Sequence, residues 1–119
     1  MGSPLARRTV GPFFVFAGSM HFARTAWYEA IMPDYLPARR ELVLASGAAE
    51  MIGGAAAIVS RRRWIPRWWL IATLAAVFPA NVHMAMHPER YSRIPRWALY
   101  ARLPVQGAFV LWVWRGTRP

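Results

Sequence analysis

The sequence predicts an all-α chain, an antiparallel four-helix transmembrane bundle with an interfacial first loop. Three observations carry this expectation. The 119 residues are 56% hydrophobic with a mean hydropathy of +0.20, yet they bear a formal net charge of +10. The apolar residues gather in four runs, residues 9–28, 42–59, 68–86 and 97–114. Each is close to the roughly 20 residues that a helix needs to cross about 30 Å of hydrocarbon. The basic residues stand between the runs, as loop charges do in membrane proteins. The chain reads as a single transmembrane domain, 1–119, multi-pass in the cell membrane.

Composition excludes several function classes. Seven Trp, six Phe and four Tyr are too many aromatics for a disordered basic tail. The absence of cysteine excludes a disulfide framework, a thiolate metal site and a thiol relay within the chain. A pI near 11.7 would suggest nucleic acid if the basic residues formed one stripe. All 15 are Arg, and they form punctuation instead, so no nucleic-acid partner is expected.

The first run, Thr9 to Tyr28, resembles a signal sequence in position. It offers no convincing small-residue cleavage site, and His21 and Arg24 sit where one would fall. It therefore reads as a retained span. The segment YEAIMPDYLPARRE follows. Pro33 and Pro37 break a helix there, while Ile31, Met32, Tyr35 and Leu36 keep it apolar. It also holds Glu29, Asp34 and Glu41, and is expected to lie in the interface as a cap over the bundle. In the second run, Ala45, Ala49, Gly53 and Ala57 recur every four residues, a spacing that lets helix backbones approach closely. RRRWIPRWW forms the next turn, with Trp at the interface, and HPERYSRIPRW the one after. Pro79 and Pro104 fall inside the third and fourth runs, where each removes a backbone hydrogen bond.

An even number of spans puts both termini on one side of the membrane. That side carries Arg7, Arg8, Arg61, Arg62, Arg63, Arg67, Arg115 and Arg118. The other carries Arg39, Arg40, Arg90, Arg93 and Arg96, with Arg24 and Arg102 nearer the membrane. The positive-inside rule places both termini in the cytoplasm.

Function is sought in the polar residues of the spans: His21, Glu50, Asn81, His83, Arg102 and Gln106. Counted from the non-cytoplasmic end of each helix, at 1.5 Å per residue, they lie roughly 6–14 Å below the outer surface. Four helices thus deliver polar groups to one slab of the bilayer, a candidate ligand-binding pocket. An ionised Glu50 near mid-membrane costs a few kcal/mol by insertion scales, so it must be protonated, paired or facing a wet cavity. Arg102, the cation at similar depth, is its expected partner. Such a pair either fixes helix register or flanks a proton-handling carboxylate beside a ligand. His83 and His87 stand at i, i+4, a spacing that with Glu50 would suit a metal on paper. No HExxH or similar signature accompanies them, and no tightly bound metal, haem or flavin is expected. Asn81 and Gln106 each follow a proline by two residues, where an amide can satisfy a carbonyl freed by the kink.

GSMHF in the first run, the loop IMPDYLP, then SGAAEMIGG, FPANVHMA, RLPVQ and LWVW together resemble the DoxX-like family of small four-helix membrane proteins. The resemblance runs from about Val10 to Trp114 and rests on order and spacing rather than on one motif. It implies an antiparallel four-helix membrane bundle and a quinone-linked or redox-linked component of the bacterial inner membrane. The family takes its name from the small subunit of a thiosulfate:quinone oxidoreductase. Other members are associated with complexes that handle oxidative and thiol stress. The matching polar positions are His21, Glu50, Asn81, Arg102 and Gln106. Some relatives in the wider superfamily depend on cysteines; this chain has none, which argues against a thiol–disulfide activity of its own.

The leading expectation is a quinone or other lipophilic ligand in the outer half of the bundle. Glu50 and a histidine would handle protons, and Arg102, Asn81 and Gln106 would bond the head group. The alternatives are a non-enzymatic accessory or scaffold subunit of a larger membrane oxidoreductase complex, and a small transporter that works as a homo-oligomer.

Overall fold

The computed structural model describes residues 4–32, 36–91 and 94–119; Pro33, Asp34, Tyr35 and Arg93 of the expected loops lie outside them. The described residues are all-helical, as expected. The helices are α1 (Pro4–Ala23), a short α2 (Thr25–Ala30), α3 (Arg39–Val59), α4 (Trp64–Met86) and α5 (Arg96–Gly116). A 3-10 turn, Pro88–Tyr91, follows α4.

Of these, α3 and α4 are long and apolar enough to cross a membrane. The other two long helices, α1 and α5, fall short of that measure. Both carry arginine within their length, Arg7 and Arg8 in α1 and Arg96, Arg102 and Arg115 in α5.

Helix α1 packs on α3, α3 on α4, α4 on α5, and α5 back on α1. Neighbours run antiparallel. Gly11 meets Gly54 while Gly18 meets Gly47, and Arg67 reaches Trp114 while Asn81 reaches Gln106. The expected first span is divided. Arg24, at φ −129°, ends α1, and the Thr25 hydroxyl donates to the carbonyls of His21 and Phe22.

The closest helix contact is α1 on α3, and glycine makes it possible. A Cβ on Gly54 would stand 2.6 Å from the Gly11 oxygen, and one on Gly47 2.8 Å from the Gly18 oxygen. The glycines are seven residues apart on each helix, so two backbone-to-backbone contacts recur at the same stagger. The four-residue repeat of small residues serves a different neighbour. Gly53 lies against Trp69 and Leu70 of α4, Ala57 joins the core, and the Trp69 indole donates to the Ala49 carbonyl at 2.8 Å. Gly107, by contrast, has open space where a Cβ would go. Gly107→Ala should raise stability by roughly 0.5–1 kcal/mol through helix propensity alone, read as a shift in thermal unfolding in detergent.

Two packed clusters close the ends of the molecule. Val10, Phe14, Ala57, Leu70, Leu74 and Val113 fill the end that carries the termini. Met84, Tyr91 and Leu99, with Ile31 and Ile94, fill the other. Of the loop expected to lie over the bundle, the described residues Ile31, Met32 and Leu36 lie at this second end: Ile31 packs on its cluster, and Met32 and Leu36 line the space beside it.

Arg63 and Arg67 were counted among the topological charges of a loop, but each has a structural task. The buried Arg63 donates to the carbonyls of Ala57, Ser60 and Gly116, at 2.9, 3.1 and 3.0 Å. Arg67 donates to the Trp114 carbonyl at 2.8 Å and to the Thr117 hydroxyl at 3.2 Å, with its guanidinium 3.8 Å from the centre of the Trp114 ring. The two side chains satisfy carbonyls at the C-terminal ends of α3 and α5, where the helix dipoles also favour positive charge.

Candidate functional site

Between the two clusters lies a cavity of about 970 Å³ with walls from α1, α3, α4 and α5. Its surface is mostly apolar. Its polar groups stand on two walls.

The first polar wall joins α1 to α3. His21 Nε2 lies 2.8 Å from Glu50 Oε2, and both side chains are largely buried. The glycine contacts make this pairing, since the Cβ that Gly47 lacks would fall on the His21 Cβ at 2.5 Å. On the far side of the ring, His21 Nδ1 lies 3.0 Å from the Val43 carbonyl and 3.1 Å from Ser46 Oγ. The Ser46 hydroxyl donates to the same carbonyl at 2.9 Å, which turns a lone pair toward the ring. A carbonyl can only accept, so Nδ1 carries the proton. The Nε2–Oε2 contact then needs a proton of its own, because a bare ring lone pair and a carboxylate oxygen would repel at 2.8 Å. The pair is imidazolium with carboxylate, or imidazole with carboxylic acid. In either form it is neutral overall and holds one proton that can be passed on. Neutrality also lowers the cost of burying it.

The second polar wall joins α4 to α5. Arg102 Nε donates to Asn81 Oδ1 at 3.0 Å, Asn81 Nδ2 to Gln106 Oε1 at 3.1 Å, and Gln106 Nε2 to the Leu74 carbonyl at 2.6 Å. The direction of the chain is fixed at its end, because the Leu74 carbonyl only accepts. Asn81 and Gln106 therefore do not repair the proline positions of their own helices, as the sequence suggested. They cross between helices and hold Arg102. The Nη groups of Arg102 have no protein partner among the described residues and remain as donors at the cavity wall.

The expected Glu50–Arg102 pair is thus replaced by two separate contacts, Glu50 with His21 and Arg102 with Asn81. The close α1–α3 approach gives Glu50 a nearer partner, and the α4–α5 register gives Arg102 another. Tyr28 relates the two walls. Its ring stacks on His21 at 4.1 Å between centres, and it lies within electrostatic range of both Glu50 and Arg102. In an unbroken helix, residues seven apart are separated by about 10 Å along the axis; the break at Arg24 lets α2 bring the rings together.

Five of the six expected site residues line this cavity: His21, Glu50, Asn81, Arg102 and Gln106. His83 does not. It packs beside His87 and Tyr91, with ring centres 4.5 and 6.4 Å away. His87 itself faces Glu89 at 3.7 Å near the surface. Among the described residues, no three metal-ligating side chains converge. Sequence reasoning missed Tyr28 and Ser46 as site residues. Ser46 stands one helical turn before Glu50, a usable signal; Tyr28 gave none, since only the break in α1 turns it inward.

A family model described as Domain of unknown function (DUF8561) matches residues 10–117, which include every residue of both polar walls. The chain belongs to this family. No curated protein and no solved structure matches the chain. For this DUF8561 member, then, the geometry of the cavity is the ground on which function has to be argued.

Proposed function

We propose that this chain is a DoxX-like integral membrane protein whose four long helices all cross the bilayer, and that its cavity takes a quinone-type ligand as part of a redox-linked membrane component. The observation that carries the ligand reading is the pairing of walls. A neutral His21–Glu50 pair holding a transferable proton shares an apolar cavity with an Arg102 guanidinium whose Nη donors meet no partner among the described residues. A lipophilic molecule with a carbonyl oxygen suits that combination. Arg102 donates to the oxygen, and the pair supplies a proton as reduction places charge on it. The electrons come from a partner redox subunit. Tyr28, near both groups, is placed to relay or to orient.

Exposed apolar side chains support the membrane placement of α1 and α5. Phe16 and Phe22 on α1 and Leu111 on α5 are exposed, while Arg102 and Gln106 of α5 line the cavity. Exposed Trp27 and Trp97 mark one end of the bundle, and Trp64 and Trp68 the other, as interfacial aromatic belts do. The arginine distribution favours cytoplasmic termini.

The test is native mass spectrometry of the protein taken gently from its own membranes, with lipid extraction alongside. Wild type should retain a quinone. Glu50→Gln and Arg102→Gln should each lower its occupancy by roughly tenfold, about the worth of one charge-assisted hydrogen bond, without lowering the yield of folded protein. Unchanged occupancy in both variants would sink the ligand reading. A reproducible larger protein partner with no ligand would move the assignment to an accessory subunit.

A further inference from the structure

A second pocket, of about 870 Å³, opens at the end of the bundle that carries the termini. It lies between the start of α1 and the end of α3. Arg7, Arg8, Arg61 and Arg63 line it, together with Ser60 and the outward-facing Ile58. The five acidic residues of the chain are Glu29, Asp34, Glu41, Glu50 and Glu89, and no acidic side chain contributes to its wall.

Four arginines share this wall with Pro119 at the end of the chain, so positive charge predominates among the described lining residues. Arg63 is only 7% exposed, its Nη groups are committed to three carbonyls, and its Nε has no hydrogen-bond partner. Burial, and then the nearby Arg7 charge, push the Arg63 guanidinium below its usual pKa. Arg7, Arg8 and Arg61 are exposed and free to turn toward a ligand. Arginine forks match phosphate oxygens two at a time. Apolar surface accompanies the charge: Ile58 in the wall is 57% exposed, and the strip of chain next to lining residues adds Leu5 and Val59 at 72% and 76%. A soluble anion has no use for such a strip; an acyl chain does.

We propose that this pocket binds the phosphate headgroup of an anionic membrane lipid, with Arg7, Arg8 and Arg61 as the phosphate ligands, Arg63 as a fixed charge behind them and Ile58 against the acyl chain. The site is separate from the central cavity and rests on the membrane reading alone. It would anchor this end of the bundle to the anionic leaflet by a defined contact rather than by diffuse charge.

The experiment uses the full chain in phosphatidylcholine nanodiscs, titrated with phosphatidylglycerol and read by native mass spectrometry for retained lipid. Wild type should keep phosphatidylglycerol in preference to phosphatidylcholine. Arg7→Gln with Arg61→Gln should lower retention by roughly tenfold or more, by the weight of two lipid-facing arginines. Arg62→Gln with Arg115→Gln removes the same charge at the same end from outside the pocket and should change retention less than about twofold if the contact is specific. Thermal unfolding should match wild type in both double variants, since all four side chains are exposed. Equal losses in the two double variants would overturn the proposal in favour of diffuse surface charge. Displacement of the lipid by equimolar inorganic phosphate would overturn it in favour of a soluble phosphate ligand. A carbonate wash of native membranes separates the two readings. Release of the protein fails the membrane placement, whereas a membrane-bound protein without selective retention fails only this site.

Discussion

Gly47→Val is expected to lower the stability of the protein by about 3 kcal/mol or more, the upper end of what overpacking costs. The side chain would meet the His21 Cβ and the Gly18 backbone oxygen, and backbone cannot turn aside as a side chain can. Helices α1 and α3 must separate, and separation also pulls His21 away from Glu50. The variant should therefore lose both thermal stability in detergent and whatever the central cavity binds. Gly18→Val should behave in the same way, since its added Cβ meets the Gly47 oxygen and the Met51 backbone nitrogen. Gly107→Ala is the internal comparison: a side chain is added to a helical glycine with no neighbour to strike. A tolerated Gly47→Val, with unchanged unfolding and unchanged ligand occupancy, would show that the glycine contacts do not set the helix spacing.

Arg63→Met is the second large effect. It keeps an unbranched apolar stem but leaves the carbonyls of Ala57 and Gly116 buried without their donor, and weakens that of Ser60. At about 1–3 kcal/mol for each buried group left unsatisfied, the loss should reach roughly 3 kcal/mol. The exposed Arg62, next in sequence, lacks these contacts, and Arg62→Met should stay within about 0.5 kcal/mol of wild type. Chemical unfolding of the two variants side by side would separate a cap from a loop charge. Equal behaviour would return Arg63 to the role of a topological charge alone.

The contrast between Arg62 and Arg63 shows where sequence reading stopped. Both read as loop punctuation, and nothing local to RRRW distinguishes them. Only the arrival of the α5 C-terminus beside α3 makes one of them buried and committed. Small residues tell a similar story. The repeat Ala45, Ala49, Gly53, Ala57 was legible as a close-packing face, but that face turned toward α4. Gly47 and Gly54 make the tighter approach to α1, and they matter because Gly11 and Gly18 stand opposite at the same spacing. One helix alone does not disclose such a match.

The candidate site divides along the same line. Depth counting along each run brought His21, Glu50, Asn81, Arg102 and Gln106 to one level, and all five line one cavity. Depth fixes position along the bundle axis and says nothing of position around it. Hence the wrong partner for Glu50, and hence His83, of suitable depth, packed among His87 and Tyr91 instead.

By itself, the sequence determined what periodicity, run length and charge placement encode: described residues that are all-helical, helices ending close to the expected turns, and a level of polar residues shared by the long helices. The tertiary structure alone decided which polar group meets which. Those pairings depend on helix rotation and register. The Gly11–Gly54 and Gly18–Gly47 contacts set them for α1 and α3, the Asn81–Gln106 contact sets them for α4 and α5, and the break at Arg24 turns Tyr28 onto His21. Each is a contact between residues distant in sequence, or a turn whose outcome depends on what it packs against, and neither leaves a mark in the order of residues along one helix.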